Sequence, residues 1–384
     1  MHYLKAARIF DGDAFHYHSA LAINGDHIVG LVATEDIPAD AAVISCPGTL
    51  APGFIDVQVN GGGGVLFNNA PNADTVTQMA VGHRSAGTTA IMPTIISDTA
   101  AVHRAAAQAV AEARAAGCAS ILGIHIEGPF FDMAKRGTHN PDMIRALDDE
   151  DIAWLSSLTA IKAMLTLAPE HATADQIRVL SDAGILVCAG HTDAAYEQVN
   201  DALEAGLRGF THLYNAMSPL TSRSPGTVGA ALDSAHSWVG IIADGHHVHP
   251  TSIRIAQRCL PRGKLMLVSD SMSNVGSDET SFTLYGEKIE VHEGKLVNAE
   301  GALAGSAIGL NDAVRYSRDS VGIAEEECLR MASRYPAEFL DLGDQLGSLH
   351  SGYRADIVHF DAELKVYDTW VAGNHLSHIH GPNS

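Results

Sequence analysis

The chain is poor in positive charge: 24 Lys and Arg stand against 45 Asp and Glu, a formal net charge of −21 over 384 residues. A field of that sign repels phosphate backbones and anionic headgroups, which argues against nucleic acid or an anionic membrane as partner. An anionic substrate must then meet a local cluster of donors. Cysteine is scarce as well. The five, at 46, 118, 188, 259 and 328, are odd in number and form no C-x-x-C pair, which points away from a disulfide framework and toward reduced thiols. No stretch approaches the roughly 18 consecutive apolar residues of a membrane span, and the opening Met1-His2-Tyr3-Leu4-Lys5 lacks the apolar core of a secretory leader. The expectation is a soluble, cytoplasmic protein. Neither a low-complexity linker nor an internal repeat longer than a βα unit is visible.

What the chain does have is 46% apolar residues, enough for one large core and a small appendage. Short β-branched apolar runs recur at 52–59, 88–94, 121–127, 161–167, 185–190, 209–212, 238–243 and 264–269, with helix-like segments between them. One such segment, 99–116, is rich in Ala, lacks interior Gly or Pro, and is followed by Gly117. Eight βα units predict a TIM-type (β/α)8 barrel over 51–349. The chain ends carry alternating runs, 21–32 around Asn24-Gly25-Asp26 and 355–371 before Gly373-Asn374. Residues 1–50 and 350–384 are therefore expected to pair into a small β-sandwich domain. Within 281–298, two strand-like runs about Gly286-Glu287 suggest an inserted hairpin.

In a barrel of this kind the chemistry stands at the C-terminal strand ends. Those ends carry Gln58 and Asn60, Glu127, His191, His212, Asp244 and Asp270, a ring of metal-type ligands. A single strand-end histidine is as readily a hydrogen-bonded core residue, and the chain has 21 to choose from. A carboxylate closing an apolar run is harder to dismiss, because its desolvation needs a cation or strong donors. Glu127, His191 and His212 together make the His₂Glu set of catalytic zinc sites with one position open. Asp270 is the natural group to accept a proton from water there; its bland alternative is a turn cap. The glycines 61–64 read as a flexible turn rather than a phosphate cradle.

Several motifs carry a resemblance that runs nearly end to end. They are Pro-Gly-Phe-Ile-Asp-Val-Gln-Val-Asn-Gly from 52, His-Ile-Glu-Gly-Pro-Phe from 125, Gly-His-Thr-Asp-Ala from 190 and Thr-His-Leu-Tyr-Asn-Ala-Met from 211. Ala-Asp-Gly-His-His follows from 243, Val-Ser-Asp from 268 and Leu-Ala-Gly-Ser from 303. In this order and at strand ends, they resemble the N-acetylglucosamine-6-phosphate deacetylase family of the amidohydrolase superfamily. The resemblance implies hydrolysis of N-acetylglucosamine 6-phosphate to glucosamine 6-phosphate and acetate. It assigns one divalent ion per subunit to Glu127, His191 and His212, with Asp270 as base. Zinc is the expected ion; Fe2+, Co2+ and Mn2+ also accept mixed N/O ligands. Many amidohydrolases hold a second metal with His-x-His on strand one. Here Gln58-Val59-Asn60 stands instead, a remnant of that second site and an argument for a single ion.

The same resemblance gives His139 the polarisation of the acetyl carbonyl, and His247 and the Asn215-Ala216 backbone contacts to the substrate. Arg223 is the phosphate-binding candidate, since a guanidinium grips phosphate oxygens bidentately. It is implied to come from a neighbouring subunit, so a homodimer or a dimer-based tetramer is expected. Three alternatives stay open at this point: an N-acetylgalactosamine-6-phosphate deacetylase, an N-acyl amino acid deacylase, and a non-catalytic scaffold on the same barrel.

Overall fold

A computed structural model describes residues 1–298, 301 and 303–378; the expected C-terminal strand unit thus extends, at 379–384, outside the described residues. Eight parallel strands follow one another in sheet order as they do in sequence. They are β1 Phe54–Val59, β2 Thr88–Ile96, β3 Gly123–Glu127, β4 Lys162–Leu167, β5 Leu186–Ala189, β6 Gly209–Phe210, β7 Trp238–Ile241 and β8 Leu265–Leu267. All eight expected runs are strands, shortened by a few residues at most ends. The barrel closes where Asp270 N donates to Gln58 O at 3.0 Å and Asn60 N to Ser271 O at 2.9 Å. That closure sets the residues after β1 beside those after β8.

Nearly every residue of these strands is buried, because their outer face is covered by helices and their inner face fills the barrel. Helix α1, Ala100–Ala115, shows how the cover forms. Thr99 Oγ1 caps its start by accepting from Val102 N, and Ala106, Ala109, Val110 and Ala113 make its buried face. Gly117 ends it at φ 89°, a left-handed turn that costs a Cβ-free residue nothing.

The chain ends join in one hydrogen-bonded sheet of eight strands, ordered 374–377, 366–371, 357–360, 42–52, 2–10, 19–24 and 27–33, with 15–17 beside 2–10. Its own core gathers Leu4, Ile9, Leu21, Ile23, Leu50, Ile357 and Trp370. The strands His2–Phe10 and Ala42–Pro52 escaped the sequence reading. Their pairing is parallel, so no tight turn announces it. The inserted hairpin is a three-stranded antiparallel sheet, Ser281–Leu284, Glu287–His292 and Lys295–Val297. Leu284, Ile289 and Leu296 pack it onto Leu66, Ile96 and Met272 at the upper rim of the barrel. Among the described residues, no helix is long and apolar enough to cross a membrane.

Candidate metal centre

Strand alternation aims the site. Asp56 and Gln58 on β1, and His125 and Glu127 on β3, lie two residues apart and so share the inner face. Below the rim, His125 bonds Thr166 Oγ1 at 2.7 Å and Thr94 Oγ1 at 3.2 Å, and Thr166 bonds Thr211 Oγ1 at 2.7 Å. This buried polar layer supports Glu127 from beneath. At the rim, His191, His212 and Asp270 all adopt left-handed backbone, with φ of 51°, 34° and 52°. The chain thereby leaves each strand while the side chain stays turned inward.

Three donor atoms converge. His212 Nε2 lies 3.0 Å from His191 Nε2, and Glu127 Oε1 lies 3.2 Å from the first and 3.4 Å from the second. Ligands bound at about 2.0–2.1 Å to a tetrahedral ion stand about 3.3 Å apart, so the set matches one face of a zinc-type tetrahedron. His191 Nδ1 donates to Lys135 O at 2.8 Å, which leaves its Nε2 as a lone pair. His212 Nδ1 is buried without a hydrogen-bond partner. His139 also comes near: it, Glu127 and His191 offer one ligand atom each within 4.8 Å of one another. The His212 set is the tighter one, and the residues fit one divalent cation.

Gln58 and Asn60 are amide donors to carboxylates. Gln58 Nε2 lies 3.1 and 3.2 Å from the two oxygens of Glu127 and 3.2 Å from Asp270 Oδ1, and Asn60 Nδ2 donates to Asp270 Oδ1 at 2.7 Å. These N–H dipoles face both acids and offset part of the repulsion between them. Asp244 does not join the ring. Its carboxylate accepts from His247 Nδ1 at 2.6 Å and from the backbone of His246 and His247, each at 2.8 Å. It orients His247 toward the cavity instead.

Burial, then the nearby charge of Glu127, raises Asp270 to about 6. Burial opposes the ionisation of Glu127 as well, but the imidazoles of His191 and His212 beside it outweigh burial and hold this acid well below the usual carboxylate range. Burial lowers both His139 and His191, whereas Glu127 raises His212 against the same burial. Asp56, beneath the site, is pushed by burial to about 7.

A cavity of about 190 Å³ is lined by Glu127, His191, His212, Asp270, His139, His247, Asn60, Asn215 and Ala216, with Ile96, Met272 and Leu303 as its apolar wall. Apart from Asp244, all of the expected site residues but two line this space. Gln58 lies directly under it, and Arg223 is exposed on the loop before the helix Gly226–Asp233. A roomier cleft of about 720 Å³ opens between Arg208, Trp238 and Lys264 at the opposite strand ends, so volume alone does not locate the chemistry. Sequence reasoning missed Asp56, Ser97, the Thr94–His125–Thr166–Thr211 layer and the apolar wall. Asp56 had a signal, the alternation Asp56-x-Gln58-x-Asn60; Ser97 had none, since its role depends on a contact 42 residues away.

The sequence profile of the Amidohydrolase family matches residues 49–379. An N-acetylgalactosamine-6-phosphate deacetylase of Shewanella sp. (strain ANA-3) is 43% identical over 94% of this chain and 92% of the relative. An N-acetylglucosamine-6-phosphate deacetylase of Vibrio furnissii is 35% identical over 97% of this chain and 94% of its own. The crystal structure of N-acetylglucosamine-6-phosphate deacetylase from Pasteurella multocida superposes with a TM-score of 0.95 at 34% identity, covering 98% of this chain and 99% of that one.

Proposed function

Because the chain belongs to the amidohydrolase family, we propose that it hydrolyses the acetamide of N-acetylglucosamine 6-phosphate, giving glucosamine 6-phosphate and acetate, with one divalent ion per subunit. The observation that carries this is the convergence of Glu127 Oε1, His191 Nε2 and His212 Nε2 within 3.0–3.4 Å, beside an Asp270 raised to about 6. Zinc is the ion this donor set favours. When bound, it supplies Lewis acidity that makes water a nucleophile near neutral pH.

This chain's own residues do the rest. Asp270 accepts a proton as the water oxygen bonds to the acetyl carbon, and returns it to the nitrogen as the C–N bond breaks. A carboxyl titrating near 6 is matched to both halves of that task. His139 faces the carbonyl oxygen as the donor that its developing charge requires. His247, held by Asp244, and the Asn215-Ala216 backbone position the sugar. Arg223, exposed in its own subunit, grips the phosphate of a neighbouring subunit's substrate in a homodimer or dimer-based tetramer. Gln58 and Asn60 replace a second ion. The division into a barrel at 51–349 and a terminal unit of 1–50 and 350–384 belongs to this reading, as does a cytoplasmic place for a chain whose five cysteines are free thiols.

One observation favours a second reading: the relative at 43% identity carries the name of the galactosamine enzyme, so the C4 epimer is the competing substrate. Acetate release is therefore measured from both N-acetylhexosamine 6-phosphates, from the unphosphorylated sugars and from N-acetyl amino acids, with metal-quantified protein. Phosphate-dependent turnover with the higher kcat/KM on the gluco sugar supports the first reading. A preference for the galacto sugar replaces it with the second. Turnover confined to N-acetyl amino acids refutes both, and none at all with one ion bound points to a scaffold.

A further inference from the structure

His139 and His191 stand 4.5 Å apart, nearly edge to face, yet the backbone treats their Nδ1 atoms in opposite ways. His191 Nδ1 faces a carbonyl, Lys135 O at 2.8 Å, and must donate. His139 Nδ1 faces a backbone N–H, that of Ser97 at 3.3 Å, with Ser97 Oγ at 2.8 Å. A backbone N–H can only donate, so His139 Nδ1 must present a lone pair. The ring then carries its proton on Nε2. A doubly protonated ring is excluded by the same contact.

We propose that Ser97 is the positioning residue that fixes His139 in its Nε2–H tautomer, and that Tyr285, at the tip of the inserted hairpin, holds Ser97 in place. Ser97 directly follows β2, and its carbonyl accepts from the Tyr285 hydroxyl at 2.5 Å. Tyr285 occupies the turn between Ser281–Leu284 and Glu287–His292 at φ 52°, a backbone setting that aims the ring down onto the barrel rim. Phe131 backs the His139 ring edge-on at 4.8 Å. The consequence is chemical. An Nε2–H offers the acetyl carbonyl the donor that a developing oxyanion needs, whereas the other tautomer sets a lone pair against it. One backbone carbonyl and one backbone N–H thereby turn two adjacent histidines into an electron-pair donor and a hydrogen-bond donor. The inserted hairpin, remote from the metal-type ligands, acquires a task in the same site.

This inference rests on the reading that His139 meets the scissile carbonyl, but its first test needs no substrate. Histidine-selective ¹⁵N labelling of the full chain, metal-free and zinc-loaded, with long-range ¹H–¹⁵N correlation, reads the tautomer; His139→Gln identifies the signal. Protonated Nε2 with bare Nδ1 is expected, and a protonated Nδ1 overturns the proposal. In turnover, Gln keeps an N–H near the Nε2 position and Asn does not. His139→Asn is expected to lose about 100–1000-fold in kcat with little change in KM, and His139→Gln at least about tenfold less. Equal losses overturn the donor role. Tyr285→Phe is expected to lower kcat about threefold or more at unchanged KM and metal content; unchanged kcat removes the hairpin from the proposal. If the sugar phosphates are not hydrolysed while His139 carries Nε2–H, the functional reading falls and the tautomer assignment stands.

Discussion

Gln58→Leu is the substitution whose effect the geometry defines most closely. The side chain stays comparable in size but loses the amide that lies 3.1–3.2 Å from both Glu127 and Asp270. One N–H serves Glu127 and the other Asp270, whose remaining donor is Asn60 at 2.7 Å. A hydrogen bond to a charged group is worth about 1.5–3 kcal/mol, and about 1.36 kcal/mol corresponds to one pH unit in a pKa. The lost bond favoured the ionised form, so Asp270 moves upward by about one to two pH units from its value of about 6. In the proposed reaction Asp270 takes the proton in its ionised form, so activity is expected to be lost at a higher pH on acidification. The assay is kcat/KM against pH for zinc-loaded wild type and variant. The bound ion acts on both curves, so their difference isolates the amide. An acid limb that stays in place, or moves down, refutes the claim that Gln58 does the work of a second cation.

Asp270→Asn is expected to lower kcat by about 10²–10⁴-fold with one metal ion per chain retained, measured by turnover and elemental analysis. Glu127→Gln and His191→Asn are expected to abolish stoichiometric zinc uptake; zinc at about 100 times Kd stabilises the wild type by about 2.7 kcal/mol, a thermal shift that both variants lose and that a chelator reverses. Asp56 is a pH test of folding. Burial raises it from 3.8 to about 7, so its protonated carboxyl favours the folded chain below about pH 4, and that contribution is lost as pH rises through about 7. The loss amounts to about 4 kcal/mol. Asp56→Asn is expected to flatten this part of the stability curve in denaturant titrations at pH 5 and pH 8; parallel curves refute it. Arg223→Ala is expected to raise KM for the sugar phosphate about tenfold or more, from lost bonds to a charged group, and to leave unphosphorylated substrates unaffected.

The barrel was legible because each strand is a short buried run with a helix period between it and the next, a pattern that survives without any knowledge of contacts. Glu127, His191, His212 and Asp270 were legible for a related reason: a ligand-type residue closing an apolar run stands out against its neighbours. The small sheet was legible only at its hairpins. His2–Phe10 pairs in parallel with Ala42–Pro52 and through that strand with Ile357–Phe360, partners that periodicity cannot find across more than 300 residues. Asp244 was misread because strand-end position says nothing about which neighbour claims a carboxylate, and His247, three residues on, claims this one. The departure at Gln58 and Asn60 was visible as a change of letters. What the amides do became visible only through the closure of β1 on β8, which brings Asp270 to them.

The backbone at the rim was wholly hidden. Left-handed turns are expected at Gly or Asn, yet His191, His212 and Asp270 adopt them, each at a cost of about 1–3 kcal/mol. Asp56 Oδ2, Asn60 Oδ1 and His212 Nδ1, all within or just under the same site, are buried polar atoms without hydrogen-bond partners, a further cost of about 1–3 kcal/mol each. The same two kinds of cost occur elsewhere, as at Asp341 and Leu364 or at Thr88 Oγ1 and Asn311 Oδ1, but at His191, His212 and Asp270 they fall on residues that line one cavity. The Thr94–His125–Thr166–Thr211 layer beneath is hydrogen-bonded from strand to strand, so these three turns rest on a connected base. The left-handed turns hold His191, His212 and Asp270 inward beside Glu127, which an ordinary strand end already places there, and the layer below braces all four.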